Sequence, residues 1–450
     1  MAATDEALPF WLTANRYGKL QMQGAFVNLS ELSIGKTVEQ NQKFSLGYMW
    51  AGNLVCGWGD SDFYYQLNQV YAGFFLNNWA VTAGAFYDPL RYAGLSTTNG
   101  NLARSGNTRP YPMVRLSTLT YKPVPFLNPW LFFKGEYDEG FLNDRRYVRH
   151  ARMHHKSFYF LFQPWPSWKI EAGVEHYVMW GGTSKDRTIG KMPQDFKAYL
   201  QYVTGASGDE NFPQMDQNNI AGNQLGTYQL EVKKSFPGGV ELTFYLSHPF
   251  EDLSGVNWRN WPDNLLGGHL HFKNKNEYKK QWLTDIVYEF TNTRQQSVRD
   301  SLYEWNNGRG VWERQAHDNY FTHSIYRSGF TYHGQIMASP LFFPIALDKE
   351  GIPEGSYAIH STRFYAHHIG CKGICFSEHI QWKTLLTYTR HFGTYVYPFQ
   401  PVREQLSGLI DFRYSHPRGS LELGLSVAID TGNTIRSNWG LEFRVAKRFL

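Results

Sequence analysis

The end of the chain carries a strict two-residue alternation, and this pattern constrains the fold more than any other feature. From Trp439 to Leu450 the odd positions are Trp439, Leu441, Phe443, Val445, Lys447 and Phe449, and the even positions are Gly440, Glu442, Arg444, Ala446, Arg448 and Leu450. A period of two puts these sets on opposite faces of a strand, one nearly all apolar and the other charged. The pattern recurs at Trp79–Phe86, Trp168–Glu175, Val240–Ser247 and Ile410–Ser415. A sandwich with one buried face would alternate in the same way. A transmembrane barrel demands it, with apolar residues toward lipid and polar ones toward the lumen over segments of about ten residues.

Composition narrows the choice. The longest run of purely apolar residues is Phe158–Phe162, whereas a spanning helix needs about 20, so a helical membrane bundle is excluded. Aromatics make up 17% of the chain, which excludes disorder, and three cysteines in 450 residues exclude a disulfide scaffold. The net charge of +5 comes without any basic run of the kind that binds nucleic acid. Met1–Phe10 shows neither a basic nor an apolar leader region, so an exported protein would have lost its signal peptide already.

Several alternating segments begin or end in Trp, Tyr or Phe, as the aromatic girdles of a membrane barrel do. Short Pro/Gly turns, Phe236–Gly239 and His416–Gly419, contrast with long polar connections, Asn211–Gly226 and Asn292–Asn319. Short turns on one rim and long loops on the other are the asymmetry of an outer-membrane barrel. Between Met192 and Val203, Phe196, Tyr199, Leu200 and Val203 fall at helical spacing, with Pro193 near the expected first turn. Such a helix would pack in the lumen or on a rim. Neither a repeat nor a linker divides the chain, so residues 1–450 read as one domain.

Ordered along the chain, several pieces resemble the Wzi-type capsule-assembly family of outer-membrane barrels, in its Bacteroidota-like branch. They are Pro9–Gly18, Gly173–Gly182 followed by Gly190–Pro193, Trp261–Gly267, Asp318–Gly329 with Ser339–Leu341, His367–Gly373 and Tyr388–Tyr395. The resemblance implies an all-β, transmembrane antiparallel β-barrel of 18 strands in the bacterial cell outer membrane, with short helical elements occluding the lumen or rim. It also implies a non-enzymatic role in holding capsular polysaccharide at the surface. Eighteen strands in 450 residues leave 25 residues per strand and connection; 16 strands fit that arithmetic equally well.

Sugars present apolar C–H faces that stack on Trp or Tyr, and acidic sugars attract Arg and Lys. Two stretches have this chemistry in expected loops: Trp180 with Lys185 and Arg187, and Trp258 with Arg259 and Trp261. They are the candidate polysaccharide-binding residues. Arg145, Arg146, Arg149 and Arg152 add positive charge near a strand end. Of the 16 histidines, the adjacent pairs His154–His155 and His367–His368 should each send one ring into the lumen. His269 and His271 share a face, but the spacing supplies no third ligand, so no metal or other cofactor is expected. Cys371 and Cys375 either close a small disulfide loop or sit as apolar strand residues. No G-x-S-x-G elbow is present, and no catalytic residue is assigned. The expected partners are outer-membrane lipid, surface polysaccharide and other envelope proteins, with no nucleic acid. A porin-like channel for ions or small sugars is the first alternative function and an outer-membrane hydrolase the second.

Overall fold

The C-terminal alternation becomes the wall of a barrel. The computed structural model describes residues 1–20, 24–41, 46–59, 63–126, 130–273, 281–298, 303–306, 310–314, 317–344, 358–417 and 419–449. Arg418, Leu450 and part of the Asn292–Asn319 connection lie outside the described residues. Eighteen antiparallel strands make a nearly closed barrel. They are β1 (Ala2–Ala3), β2 (Val27–Asn41), β3 (Leu46–Gly59), β4 (Phe63–Leu76), β5 (Trp79–Ala85), β6 (Met113–Thr118), β7 (Leu131–Phe141), β8 (Arg152–Phe162), β9 (Trp168–Trp180), β10 (Asn223–Phe236), β11 (Val240–Phe250), β12 (Asn264–Phe272), β13 (Asp285–Asn292), β14 (Phe364–Ile374), β15 (Ile380–Gly393), β16 (Pro398–Ser415), β17 (Leu421–Gly432) and β18 (Asn438–Lys447). Lys122–Pro123 pairs with β7 beyond the end of β6 and continues its place in the wall. From β2 to β18 each strand pairs with its sequence neighbour, and β1 pairs with β18.

Faces follow the alternation. On β17, Leu425, Val427 and Ile429 are exposed outward, while Ser426, Ala428 and Asp430 are buried inward. On β18, Leu441, Phe443 and Val445 face out, and Glu442 is buried. Exposed Trp79, Trp130, Trp165 and Trp282 stand at the short-turn rim, and Trp58, Phe63, Tyr65, Phe141 and Trp439 at the opposite rim. These are two girdles flanking an apolar band, as a bilayer-spanning barrel requires. No described helix is long and apolar enough to cross a membrane.

The longest connections leave from one rim, and three of them return into the lumen. Residues 4–20, 86–112 and 320–342 fill it with a core that includes Trp11, Leu12, Leu95, Leu102, Tyr326, Phe330 and Phe342. The helical pieces there are α1 (Phe10–Thr13) and a 3-10 turn at Tyr92–Gly94. This plug is bonded to the wall on many sides. The Trp11 indole donates to Thr387 Oγ1 at 3.2 Å, Phe10 N–H donates to Asp430 at 2.8 Å, and Arg16 pairs with Glu442 at 2.7 Å. Glu289, fully buried, accepts from Thr97 N–H at 2.8 Å, Thr97 Oγ1 at 2.6 Å and the Tyr245 hydroxyl at 2.7 Å. Tyr92 stacks on Tyr245 with centroids 4.0 Å apart, and Gly267 on the next strand lies so close beneath the Tyr245 ring that any Cβ there would collide with it.

The helix expected near Met192–Val203 is α2 (Phe196–Thr204). Its N-cap is Asp195, which accepts from Ala198 N–H at 3.0 Å, and it ends at Gly205 with φ +70°. Pro193 therefore precedes the helix and does not sit in its first turn. A carboxylate that can accept from an orphan amide starts a helix better than a ring that merely tolerates the position. The helix lies on the rim, against the outer wall. Ala198, Tyr202 and Val203 are its buried residues, with Val178, Trp180 and Phe212 beneath and beside it. Phe196 and Leu200, expected on the buried face, are exposed.

Candidate functional site

The outer wall at the long-loop rim carries two neighbouring aromatic sites. The first is built by the β11–β12 connection. Asp252 caps α3 (Leu253–Val256), accepting from Ser254 N–H at 2.7 Å, and the chain then turns through Trp258 at φ +60°. Asn260, fully buried, donates to Pro249 O at 2.7 Å and to the Tyr320 hydroxyl at 2.9 Å, which fixes the turn to the barrel top. Held this way, the Trp258 indole lies flat on His248, with centroids 3.9 Å apart and planes 6° from parallel, and beside Tyr228 at 5.8 Å. Tyr228 and His248 are cross-strand partners in the β10–β11 register, so their rings form one platform. Trp261 follows at 5.9 Å, tilted 38° from Trp258. Trp258 is 42% exposed and Trp261 53%, with exposed Arg259 between them in sequence.

Carboxyl groups support this loop from below. Asp318 accepts from Ser297, and Ser254 Oγ links Asp252 at 2.6 Å to Ser297 at 2.6 Å. Burial, and then the nearby Asp252 charge, raise the Asp318 carboxyl to about 6. Burial pushes Glu251 well above the usual carboxylate range, with the Asp318 charge adding to it.

The second site is a cleft of about 350 Å³ lined by Glu139, Phe141, Arg152, Trp180, Asp195 and Tyr199, among others. Trp180 is only 3% exposed. The Arg152 guanidinium sits over its ring at 4.8 Å, and Tyr199 and Tyr202 pack against it at 5.1 and 5.6 Å. Trp180 is thus mainly the seat of α2. It offers the cleft an edge and no open face. Lys185 and Arg187 do not line this cleft; Arg187 is exposed in the loop that follows, and Lys185 N–H is tied to Tyr147 O at 3.2 Å. Arg146 is buried, donating to Gly329 O at 3.2 Å and pairing with Asp144 at 3.3 Å, so it serves the plug.

Sequence reading singled out the tryptophans but missed their partners, and it set Trp180 in a loop, whereas Trp180 is the buried last residue of β9. Tyr228, His248, Arg152 and Glu139 come from other strands, and only the hairpin registers join them to the indoles. The histidine pairs do split between faces. His155 meets Asp138 at 2.8 Å within the wall's buried inner face, and His154 meets Glu139 at 2.6 Å on the other. His368 approaches Leu95 O at 2.7 Å, while His367 bonds Tyr288 at 2.8 Å. His269 and His271 do acquire a third neighbour, Asp285 of the adjacent strand, at 2.8 and 2.7 Å. That convergence is invisible in linear spacing. Hydrogen bonds from two imidazoles to one carboxylate oxygen account for the geometry. Cys371 and Cys375 are both free thiols.

The barrel, its plug and the loop-borne indoles can be set beside known proteins. The family description "Capsule assembly protein Wzi" matches residues 2–342. The chain belongs to the Wzi capsule-assembly family. Of the motif pieces noted in the sequence, His367–Gly373 and Tyr388–Tyr395 lie beyond the matched segment. Among solved structures, Wzi of Escherichia coli is similar at 15% identity and a TM-score of 0.54, covering 92% of this chain and 82% of that one. That protein is described as an outer-membrane, carbohydrate-binding β-barrel involved in group 1 capsule assembly. OccK5 (OpdH) of Pseudomonas aeruginosa has 9% identity and a TM-score of 0.46 over 94% of this chain and 96% of its own. OccAB3 of Acinetobacter baumannii has 9% identity and a TM-score of 0.44 over 93% and 91%. Among curated proteins, no sequence matches the chain.

Proposed function

We propose that this Wzi-family barrel resides in the bacterial outer membrane and holds surface polysaccharide at its extracellular rim without transforming it. The single observation that carries this reading is the Trp258–Trp261 pair. Two half-exposed indoles lie beside Arg259, and Trp258 is locked against His248 and Tyr228. A pre-positioned aromatic face loses little side-chain entropy on binding, which favours weak, repeated contacts with a polymer. Family membership and the carbohydrate-binding neighbour support the same ligand class. The long-loop rim is taken as extracellular because barrels of this kind keep short turns on the periplasmic side.

A binding role is further supported by the nature of the buried hydroxyl–imidazole pairs. Ser361 bonds His391 at 3.0 Å and Thr387 bonds His368 at 2.8 Å, all fully or nearly fully buried and out of reach of a polymer. His368 is oriented by a backbone carbonyl and not by the carboxylate a triad would use. The test is binding of purified capsular polysaccharide to the detergent-solubilised protein. Trp258→Ala with Trp261→Ala should weaken it about tenfold, taking roughly 1 kcal/mol or slightly more as the worth of a stacking aromatic. Unchanged binding in the double variant would move the ligand elsewhere, and measurable release of sugar fragments would establish catalysis.

A further inference from the structure

Two adjacent strands bring three metal-ligating side chains together at the short-turn end of the lumen. His269 and His271 stand two residues apart on β12, so both rings leave the same face. In the β12–β13 register His271 lies directly opposite Asp285, and His269 opposite Val287. This face is the inner one. Val287 and Glu289, which share it with Asp285, are fully buried, while Leu266 and Tyr288 of the other face are exposed. The plug residue Tyr92 meets His269 edge to face, with centroids 5.9 Å apart. His269 Nε2 and His271 Nδ1 both donate to one Asp285 oxygen, at 2.8 and 2.7 Å. Among the described residues one other such trio has its ligand atoms within 4.8 Å of one another, Glu136, Asp138 and His155. There the Arg115 guanidinium already lies 3.4 Å from Glu136 and 2.7 Å from Asp138, so its charge takes the place a cation would need. Asp285 instead faces two imidazoles. The charges that flank the trio in its register row, Glu241 beside His271 and Lys372 beside Asp285, are opposite in sign and offset each other.

We propose that His269, His271 and Asp285 form a binding site for a divalent transition-metal ion of the zinc class. Two imidazole nitrogens and one carboxylate oxygen are a donor set that zinc takes at about 2.0–2.2 Å each, with the fourth position left to water. Donors at those lengths stand roughly 3.3 Å apart around a tetrahedral ion, so the three groups part by about half an ångström to admit it. The His271 side chain, 35% exposed, has room for that movement, while those of His269 and Asp285, at 13% and 7%, are held more closely. Coordination needs a lone pair at each facing nitrogen. The hydrogen donated to Asp285 therefore moves to the other ring nitrogen, Nδ1 of His269 and Nε2 of His271. The ion ties β12 to β13 at the end of the barrel opposite Trp258.

Zinc itself, titrated into the full-length refolded barrel against a chromophoric chelator, tests this. The expected result is one ion per chain. Asp285→Asn and His271→Ala should each weaken binding at least about a hundredfold, the upper end of what losing an outer partner of a metal ligand costs. His367→Ala, which removes an exposed ring on the outer face of β14, should leave the affinity unchanged. A second reading uses wild-type protein alone, so it stands even where a variant fails to fold. Zinc should protect His269 and His271 from carbethoxylation by diethyl pyrocarbonate, with His367 still reactive, as read by mass spectrometry. Wild-type protein that binds no zinc, ligand variants that bind it equally well, or an equal loss in His367→Ala would overturn the proposal. So would modification of His269 and His271 at a rate zinc does not change.

Discussion

Replacing Glu289 by Ala separates an occluded barrel from a conducting one. This carboxylate is the acceptor that holds the segment 86–112 to β13. It takes Thr97 N–H, Thr97 Oγ1, Ser96 Oγ and the Tyr245 hydroxyl, and it is fully buried. Hydrogen bonds to a charged group contribute roughly 1.5–3 kcal/mol each, but the loss is not additive, and water entering the vacated space would recover part of it. A net loosening of about 4 kcal/mol follows, or about three decades in the equilibrium between seated and unseated plug. Tyr92 would lose part of its register as well, since it stacks on the same Tyr245. The assay is single-channel recording in planar bilayers, with heat-modifiable gel mobility as the check that the barrel has folded. Wild-type protein should stay closed. Glu289→Ala should show frequent openings, and Glu289→Gln, which keeps an acceptor oxygen, should fall between them. If the Ala variant is folded and as silent as wild type, the plug is not held at this point. If wild type itself conducts stably, the lumen is a pore, and a porin-like channel replaces polysaccharide anchoring as the function.

Two further outcomes are expected. Asp318 is raised from 3.8 to about 6, so its native form prefers the proton; its contribution is complete below about 3.8 and lost as pH rises through about 6. The difference is worth about 3 kcal/mol at most. Protease protection of the 251–263 loop should accordingly drop between pH 5 and pH 7, and Asp318→Asn should flatten that profile; a profile unchanged by the substitution would contradict the assignment. Trp180→Ala should cost about 3–5 kcal/mol of packing under α2. Proteolysis within 205–222 should accelerate while the barrel keeps its heat-modifiable mobility; loss of glycan binding with α2 still protected would instead make Trp180 a ligand residue.

The strands were legible because alternation is a local property: whichever partner Leu425 or Val427 finds, a residue between two polar neighbours on a strand must share its face with the next apolar one. The same locality explains the errors. In α2 the helical spacing was readable, but which side is buried depends on what lies beneath, and there Trp180 and Val178 selected Tyr202 over Leu200. Trp180 read as a loop aromatic because nothing local distinguishes an indole under a helix from one open to solvent. His269 and His271 seemed to lack a third ligand because Asp285 reaches them across a strand pair, from 14 positions beyond His271, a separation that carries no signal.

By itself, then, the sequence determined the period, the lipid-facing set, the aromatic girdles and the asymmetry of the two rims, all of which arise from neighbours along the chain. Tertiary structure alone decided that residues 4–20 and 86–112 turn inward to plug the lumen and that Trp258 lies on the Tyr228–His248 platform. Each of these depends on a pairing across the barrel, where register and closure, rather than composition, decide which groups meet.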